Sequence, residues 1–249
     1  MKIENFKKAV VKYWNAFLEV LFPSNLKCLF CNADIPDHDK QVYCSSCETT
    51  APFNRGKRCK ICDCEMEGDG DVCDGCLEYK KHFDKAVAPM KYEGPAKALI
   101  LKLKNDNAAY LAPDMARLMS DRLNQESFSF DLIIPVPLSQ KSLAKRKYNQ
   151  SQLLADELGK IFDKPVDDSV LIKIKETKHQ KNLNISQRKT NLHGAFKIQN
   201  KRAVFGKNVL LVDDVVTTGA TANECSSVLK KYAKRVWVVC FARNPLKNK

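Results

Sequence analysis

Residues Val209 to Thr221, VLLVDDVVTTGAT, constrain the fold of this chain more than any other stretch. Val209-Leu210-Leu211-Val212 is a short apolar run that predicts a strand, with Asp213 and Asp214 at its end. A turn built from Thr217, Thr218, Gly219, Ala220 and Thr221 follows, and then Cys225, Val228, Leu229 and Tyr232 recur at helical spacing. The first N–H groups of such a helix have no partner within it and its dipole is positive there, so the turn can cradle a phosphate. Gly219 allows close approach of the backbone, and the threonine hydroxyls add donors.

Two carboxylates repel a phosphate, so a pair just before the cradle makes chemical sense if it accepts hydrogen bonds from sugar hydroxyls or faces a metal ion carried by the ligand. A ribose 5-phosphate meets both demands. The segment resembles the phosphoribosyl diphosphate (PRPP) motif of type I phosphoribosyltransferases. The resemblance implies that Asp213 and Asp214 take the ribose 2′- and 3′-hydroxyls, that Thr217, Thr218, Gly219, Ala220 and Thr221 grip the 5-phosphate, and that Mg²⁺ accompanies bound PRPP. Two other readings use the same residues: a buried strand capped by solvated acids, and a response-regulator receiver domain. The receiver would place its acids on the first strand of a domain, with no TTGAT after them.

Cysteine dominates an earlier part of the chain. Eight of its eleven cysteines form four Cys-x-x-Cys pairs: Cys28/Cys31, Cys44/Cys47, Cys59/Cys62 and Cys73/Cys76. Gaps of 12 and 10 residues separate the pairs within each half. That is the spacing of two zinc ribbons, in which two knuckles supply four thiolates to one tetrahedral ion, so two structural Zn²⁺ are expected. Disulfides would need an oxidising compartment that nothing else in the sequence indicates. Sequential and interleaved pairings both remain open, and Cys64 lies close enough to Cys62 to blur one ligand assignment. Sites closed by four thiolates leave no open position for catalysis.

The remaining segments frame these two features. Ile3, Phe6, Val10, Trp14, Phe17, Leu18 and Leu21 follow helical steps up to Pro23 and predict an amphipathic helix over 1–22, docked on the protein's own core or lying on an anionic membrane surface or a partner. A double ribbon follows over 23–80, then a larger α/β domain over 84–249. In the latter, Lys85 to Met90 predicts a strand, and helices are expected through Leu99–Leu103 and Leu111–Leu123. Asp131 to Ile134 is a strand stopped by Pro135-Val136-Pro137, and Asn149-Gln150-Ser151 leads into another helix. Val170 to Lys175 is a further strand, and residues 176 to 194 lack periodicity and suggest a long loop. Two apolar strands, Lys207–Val212 and Val236–Phe241, joined by a helix form a parallel βαβ unit, with ligands expected beyond the carboxyl ends of the strands.

Charge is unevenly distributed. Residues 1–83 hold 12 Lys/Arg against 13 Asp/Glu, whereas residues 84–249 hold 30 against 16. The excess suits polyanionic ligands, though a lysine-rich solvated surface would look the same. No apolar run reaches membrane-spanning length and the N-terminal stretch is not built as a secretory signal, so the cytoplasm is the expected location.

With ribbons and motif combined, the chain resembles the competence protein F (ComF) family, a double zinc ribbon followed by a type I phosphoribosyltransferase-like parallel sheet with flanking helices. IPVPLS near Pro135, the run Arg146 to Gln150, and Thr177, Gln180, Leu183, Arg188, Asn191 and Phe196 add to the resemblance. It implies a role in natural transformation, in which imported single-stranded DNA is handled in the cytoplasm beside an uptake channel and a helicase partner. Two uses of the site follow. An active phosphoribosyltransferase needs the diphosphate positioned and neutralised, for which Arg146, Asn149, Gln150 and Arg188 are candidates, yet Pro135-Val136-Pro137 stands where active members carry a glycine-containing loop. A nucleic-acid module would instead use the basic face, with Tyr148 or Phe196 as a stacking surface.

Overall fold

A computed structural model of the chain describes residues 27–35, 41–67, 69–105, 107–176 and 192–244. The expected amphipathic helix over 1–22 and residues 177–191, with Arg188, lie outside the described residues. The chain divides into two units, 1–50 and 51–249. The first ribbon and a short helix, α1 (Ser45–Thr50), form the described part of the smaller unit, and the second ribbon belongs with the sheet.

The two longest apolar runs become the two central strands. β6 (Asn208–Val216) pairs in parallel with β7 (Arg235–Arg243), with Val209 opposite Val236 and Leu211 opposite Val238. β3 (Leu132–Pro135) adds to the free edge of β6, and β1 (Lys85–Val87) and β2 (Met90–Lys91) both add to β7. The result is a five-stranded parallel sheet of order β1-β7-β6-β3, with β2 beside β7. Side chains alternate between its faces. Val209, Leu211, Val236 and Val238 share one apolar cluster with Cys225 and Leu229, which lie on α8 (Ala220–Leu229). Towards the other face pack α4 (Ala112–Asn124) and α6 (Gln150–Phe162), which also pack on each other. Both faces are covered, which is why the strands read as unbroken apolar runs rather than alternating ones. Helices α3 (Gly94–Asn105) and α5 (Gln140–Arg146) complete the helical layer, and short helices α2 (Asp74–Leu77) and α7 (Lys201–Val204) sit in the connections.

Two findings differ from expectation. β6 continues through Asp213 and Asp214 to Val216 rather than stopping before the acids, because β7 is long enough to pair along it as far as Val216 opposite Arg243. The strand expected over Val170–Lys175 is β4 (Leu171–Lys173), and it does not join the main sheet. It pairs antiparallel with β5 (Phe196–Ile198), a strand too short to show a period. Phe196 is therefore buried in the apolar cluster and offers no stacking surface for a base.

The second ribbon is sewn into this domain. Cys59, Cys62, Cys64, Cys73 and Cys76 are buried in the same apolar cluster as Phe83, Ala86 and Ala88. Asp63, between two of them and 2% exposed, accepts hydrogen bonds from Ala88 N (2.8 Å) and from Arg122 Nη2 on α4 (2.9 Å). Arg122 also bridges Glu126 (2.8 Å), which Lys85 of β1 meets in turn. Burial pushes the Asp63 carboxyl above its ordinary range, and Arg122 pulls it back.

Candidate functional site

The carboxyl ends of β3 and β6 and the amino ends of α6 and α8 meet at one edge of the sheet, as expected for an open parallel sheet. Asp213 and Asp214, 9% and 6% exposed, lie towards the carboxyl end of β6, which ends at Val216. Ser151, in the first turn of α6, donates to Asp213 Oδ1 at 3.1 Å, and the Asp214 N–H donates to the same oxygen at 2.9 Å. Lys104, in the last turn of α3, places Nζ 2.6 Å from Asp214 Oδ2. Burial pushes the Asp213 carboxyl up to about 7, the neighbouring Asp214 charge adds to this, and Lys104 opposes it.

Beyond Val216 the chain turns through Thr217 and Thr218 into Gly219, the N-cap of α8, at φ 77° and ψ 7°. That left-handed conformation is costly for a residue with a Cβ, which explains glycine here. Thr218 Oγ1 accepts from Ala220 N at 3.4 Å, and the first helical bond, Asn223 N to Gly219 O, is 2.8 Å long. Ala220 and Thr221 form the first helical turn, so the phosphate-cradle residues of the motif are contiguous at a helix start. A cavity of about 990 Å³ is lined by Thr218, Gly219 and Ala220, by the second ribbon from Cys73 to Lys81, and by Arg243. The acidic pair does not line it.

The structure gives Asn149 and Gln150 a positioning task. Asn149 caps α6, its Oδ1 accepting from Ser151 N (3.1 Å) while its Nδ2 donates to Val136 O (3.0 Å). Gln150 is buried and accepts from Arg146 Nη1 (3.0 Å). Tyr148 is half-buried with its hydroxyl donating to Leu103 O (2.7 Å), which holds it against α3. At the exit of β3, Pro135 and Pro137 have no N–H, and that of Val136 is spent on Val212 O (2.8 Å). Ser151 and Lys104 are the site residues that sequence reasoning missed. Ser151 directly follows the Asn-Gln pair at a helix start, which was a usable signal. Lys104 has none, being a lysine at the end of an apolar helix.

Two cysteine groups have their sulfurs close enough to hold a metal ion, all within 4.8 Å of one another: Cys28, Cys31, Cys44 and Cys47, and Cys59, Cys62, Cys64 and Cys73. All eleven cysteines are free thiols. Each group draws on adjacent pairs in sequence, the second fully buried and the first with Cys31 exposed, and an all-sulfur set of this size suits Zn²⁺ as a structural ion. Among the described residues no helix is long and apolar enough to cross a membrane.

The sheet, its flanking helices and the strand-acid-turn-helix edge define a type I phosphoribosyltransferase-like domain, and the family model for the phosphoribosyl transferase domain matches residues 148–249. Three relatives extend the likeness. Competence protein F of Haemophilus influenzae is 31% identical over 83% of this chain and 92% of its own length. DNA utilization protein YhgH of Salmonella typhimurium is 29% identical over 79% and 89%, and competence protein ComFC of Bacillus subtilis is 30% identical over 44% and 42%. The chain belongs to the competence protein F family.

Proposed function

We propose that this chain binds PRPP or a related phosphoribosyl ligand with Mg²⁺ at residues 213–221, and that it serves the cytoplasmic handling of imported single-stranded DNA in natural transformation. The observation that carries the ligand reading is the order of parts at the sheet edge: two buried carboxylates, a glycine turn at the start of a ten-residue helix, and a cavity against that turn. Asp213 and Asp214 take the ribose hydroxyls once Lys104 gives way, and Thr217 to Thr221 hold the 5-phosphate. Arg146 and Arg188 are placed by the same reading near the diphosphate or a nucleic-acid backbone. The relatives' names, competence and DNA utilization, support the cellular role, as does the basic excess of residues 84–249. A DNA-uptake helicase is the partner this role implies, and residues 1–22 offer a contact with an anionic membrane surface.

Binding without turnover fits better than transfer. A departing diphosphate needs donors at the exit of β3, and Pro135-Val136-Pro137 has no N–H to spare. Thermal unfolding of zinc-loaded protein with Mg²⁺ and PRPP tests the ligand reading. A hundredfold excess over Kd stabilises by about 2.7 kcal/mol, which for a chain of this size is a rise of roughly 5–10 °C. An unchanged midpoint with millimolar PRPP argues against it. Binding of fluorescent single-stranded oligonucleotides should weaken steeply with salt, and salt-insensitive or absent binding would count against the nucleic-acid role.

A further inference from the structure

The two ribbons are local repeats, and the repeat exposes an extra thiol in the second. Cys28-Leu29-Phe30-Cys31-Asn32-Ala33-Asp34 matches Cys59-Lys60-Ile61-Cys62-Asp63-Cys64-Glu65. Asn32 and Asp63 share a left-handed backbone, φ 65° and 58°. Cys28 N donates to Ala33 O (2.7 Å) as Cys59 N does to Cys64 O (2.8 Å), and Lys27↔Asp34 and Arg58↔Glu65 form equivalent bridges. The second knuckles match too. Cys44 N donates to Cys28 Sγ and Cys73 N to Cys59 Sγ, both at 3.4 Å. Cys31 and Cys44 sulfurs lie 3.7 Å apart, Cys62 and Cys73 sulfurs 3.6 Å.

By this correspondence Cys76 is the counterpart of Cys47, a member of the first group, while Cys64 stands where the first ribbon has Ala33. Yet the mutually close group of the second ribbon contains Cys64, not Cys76. Cys76 is nonetheless buried in the same apolar cluster and lines the same cavity as Cys62, Cys64 and Cys73. Five buried thiols therefore surround one site that zinc fills with four. Arg243 is 4% exposed, lines the same cavity as Cys62, Cys64, Cys73 and Cys76, and has Nε and Nη1 without hydrogen-bond partners among the described residues.

On the metal reading of these clusters, we propose that the second zinc is held by Cys59, Cys62 and Cys73 plus an interchangeable fourth ligand, either Cys64 or Cys76. Passing from one form to the other, zinc would lose one sulfur ligand and gain the other, and the proton given up by the incoming thiol would pass to the released thiolate. The first site, with Ala33 in place of the spare thiol, has no such reserve.

Zinc is counted per chain after passage over a chelating resin, with circular dichroism as a check on folding. Wild type should hold two, and a count of zero would sink the metal reading itself rather than the exchange. Cys64→Ser and Cys76→Ser should each hold two, Cys64→Ser/Cys76→Ser one, and the first-site control Cys47→Ser one. A folded Cys76→Ser or Cys64→Ser that holds only one zinc overturns the exchange. If a variant does not fold, ¹¹³Cd-substituted wild type decides: proton–cadmium couplings from both Cys64 and Cys76 to one cadmium are expected, and couplings from only one of them refute the proposal.

Discussion

Replacing Asp213 by Asn should stabilise this protein, by an amount that grows with pH. Asp213 is buried beside a second carboxylate, and its carboxyl sits at about 7 against an ordinary 3.8. A group whose folded value is raised binds more protons in the folded state, so stability falls as pH rises from the unfolded to the folded value and is level above it. At about 1.4 kcal/mol per unit, the raised Asp213 carboxyl costs on the order of 4 kcal/mol above pH 7, where it is ionised, and on the order of 2 kcal/mol at pH 5, where the folded protein still holds its proton. Asn keeps the acceptor that Ser151 Oγ and Asp214 N use and carries no charge. Differential scanning calorimetry from pH 5 to 8 should thus show Asp213→Asn melting above wild type, the gap widening to roughly 8–16 °C at pH 8. The same variant should bind PRPP less well, since a charged acceptor is lost. A gap that stays constant across this range, or a variant less stable than wild type at pH 8, would refute the assignment of a buried, strained charge to Asp213.

Further perturbations test other parts of the structure. Arg122→Met strands the buried Asp63 carboxylate and should cost about 3–5 kcal/mol, seen as a shift in the urea midpoint, with Asp63→Asn added to Arg122→Met recovering part of it; equal midpoints for wild type and Arg122→Met would show that the pair contributes nothing. Purified protein from metal-replete cells should carry two zinc ions, and because the second cysteine group lies in the apolar cluster of the sheet domain, chelation should lower the melting temperature of that domain and not only of the first ribbon. A domain that melts unchanged after complete zinc removal would contradict this.

The site was legible where its residues are consecutive. VLLVDDVVTTGAT carries strand, acids, turn and helix start in one stretch, and local physics decides each: apolar run, glycine at positive φ, helix N-terminus. The cysteine pairs were legible for the same reason. What was hidden depends on tertiary placement. Lys104 meets Asp214 across 110 residues of sequence, and nothing at Lys104 itself marks it. Asn149 and Gln150, expected near the diphosphate, are occupied with capping α6 and holding Arg146. Phe196 read as a candidate base platform because a three-residue strand leaves no period by which to foresee its burial. Nothing next to Asp63 in the sequence marks its role: the second ribbon packs into the sheet domain and makes it the hub of a buried ion network.

The most direct measurement is calorimetric titration of PRPP with Mg²⁺ into zinc-loaded protein, with Asp213→Ala/Asp214→Ala as the control. A saturable heat at one ligand per chain in wild type, absent in a folded double variant, is the predicted result. Wild type that is folded, zinc-loaded and silent towards PRPP, or a double variant that binds as well as wild type, would contradict a phosphoribosyl site at residues 213–221.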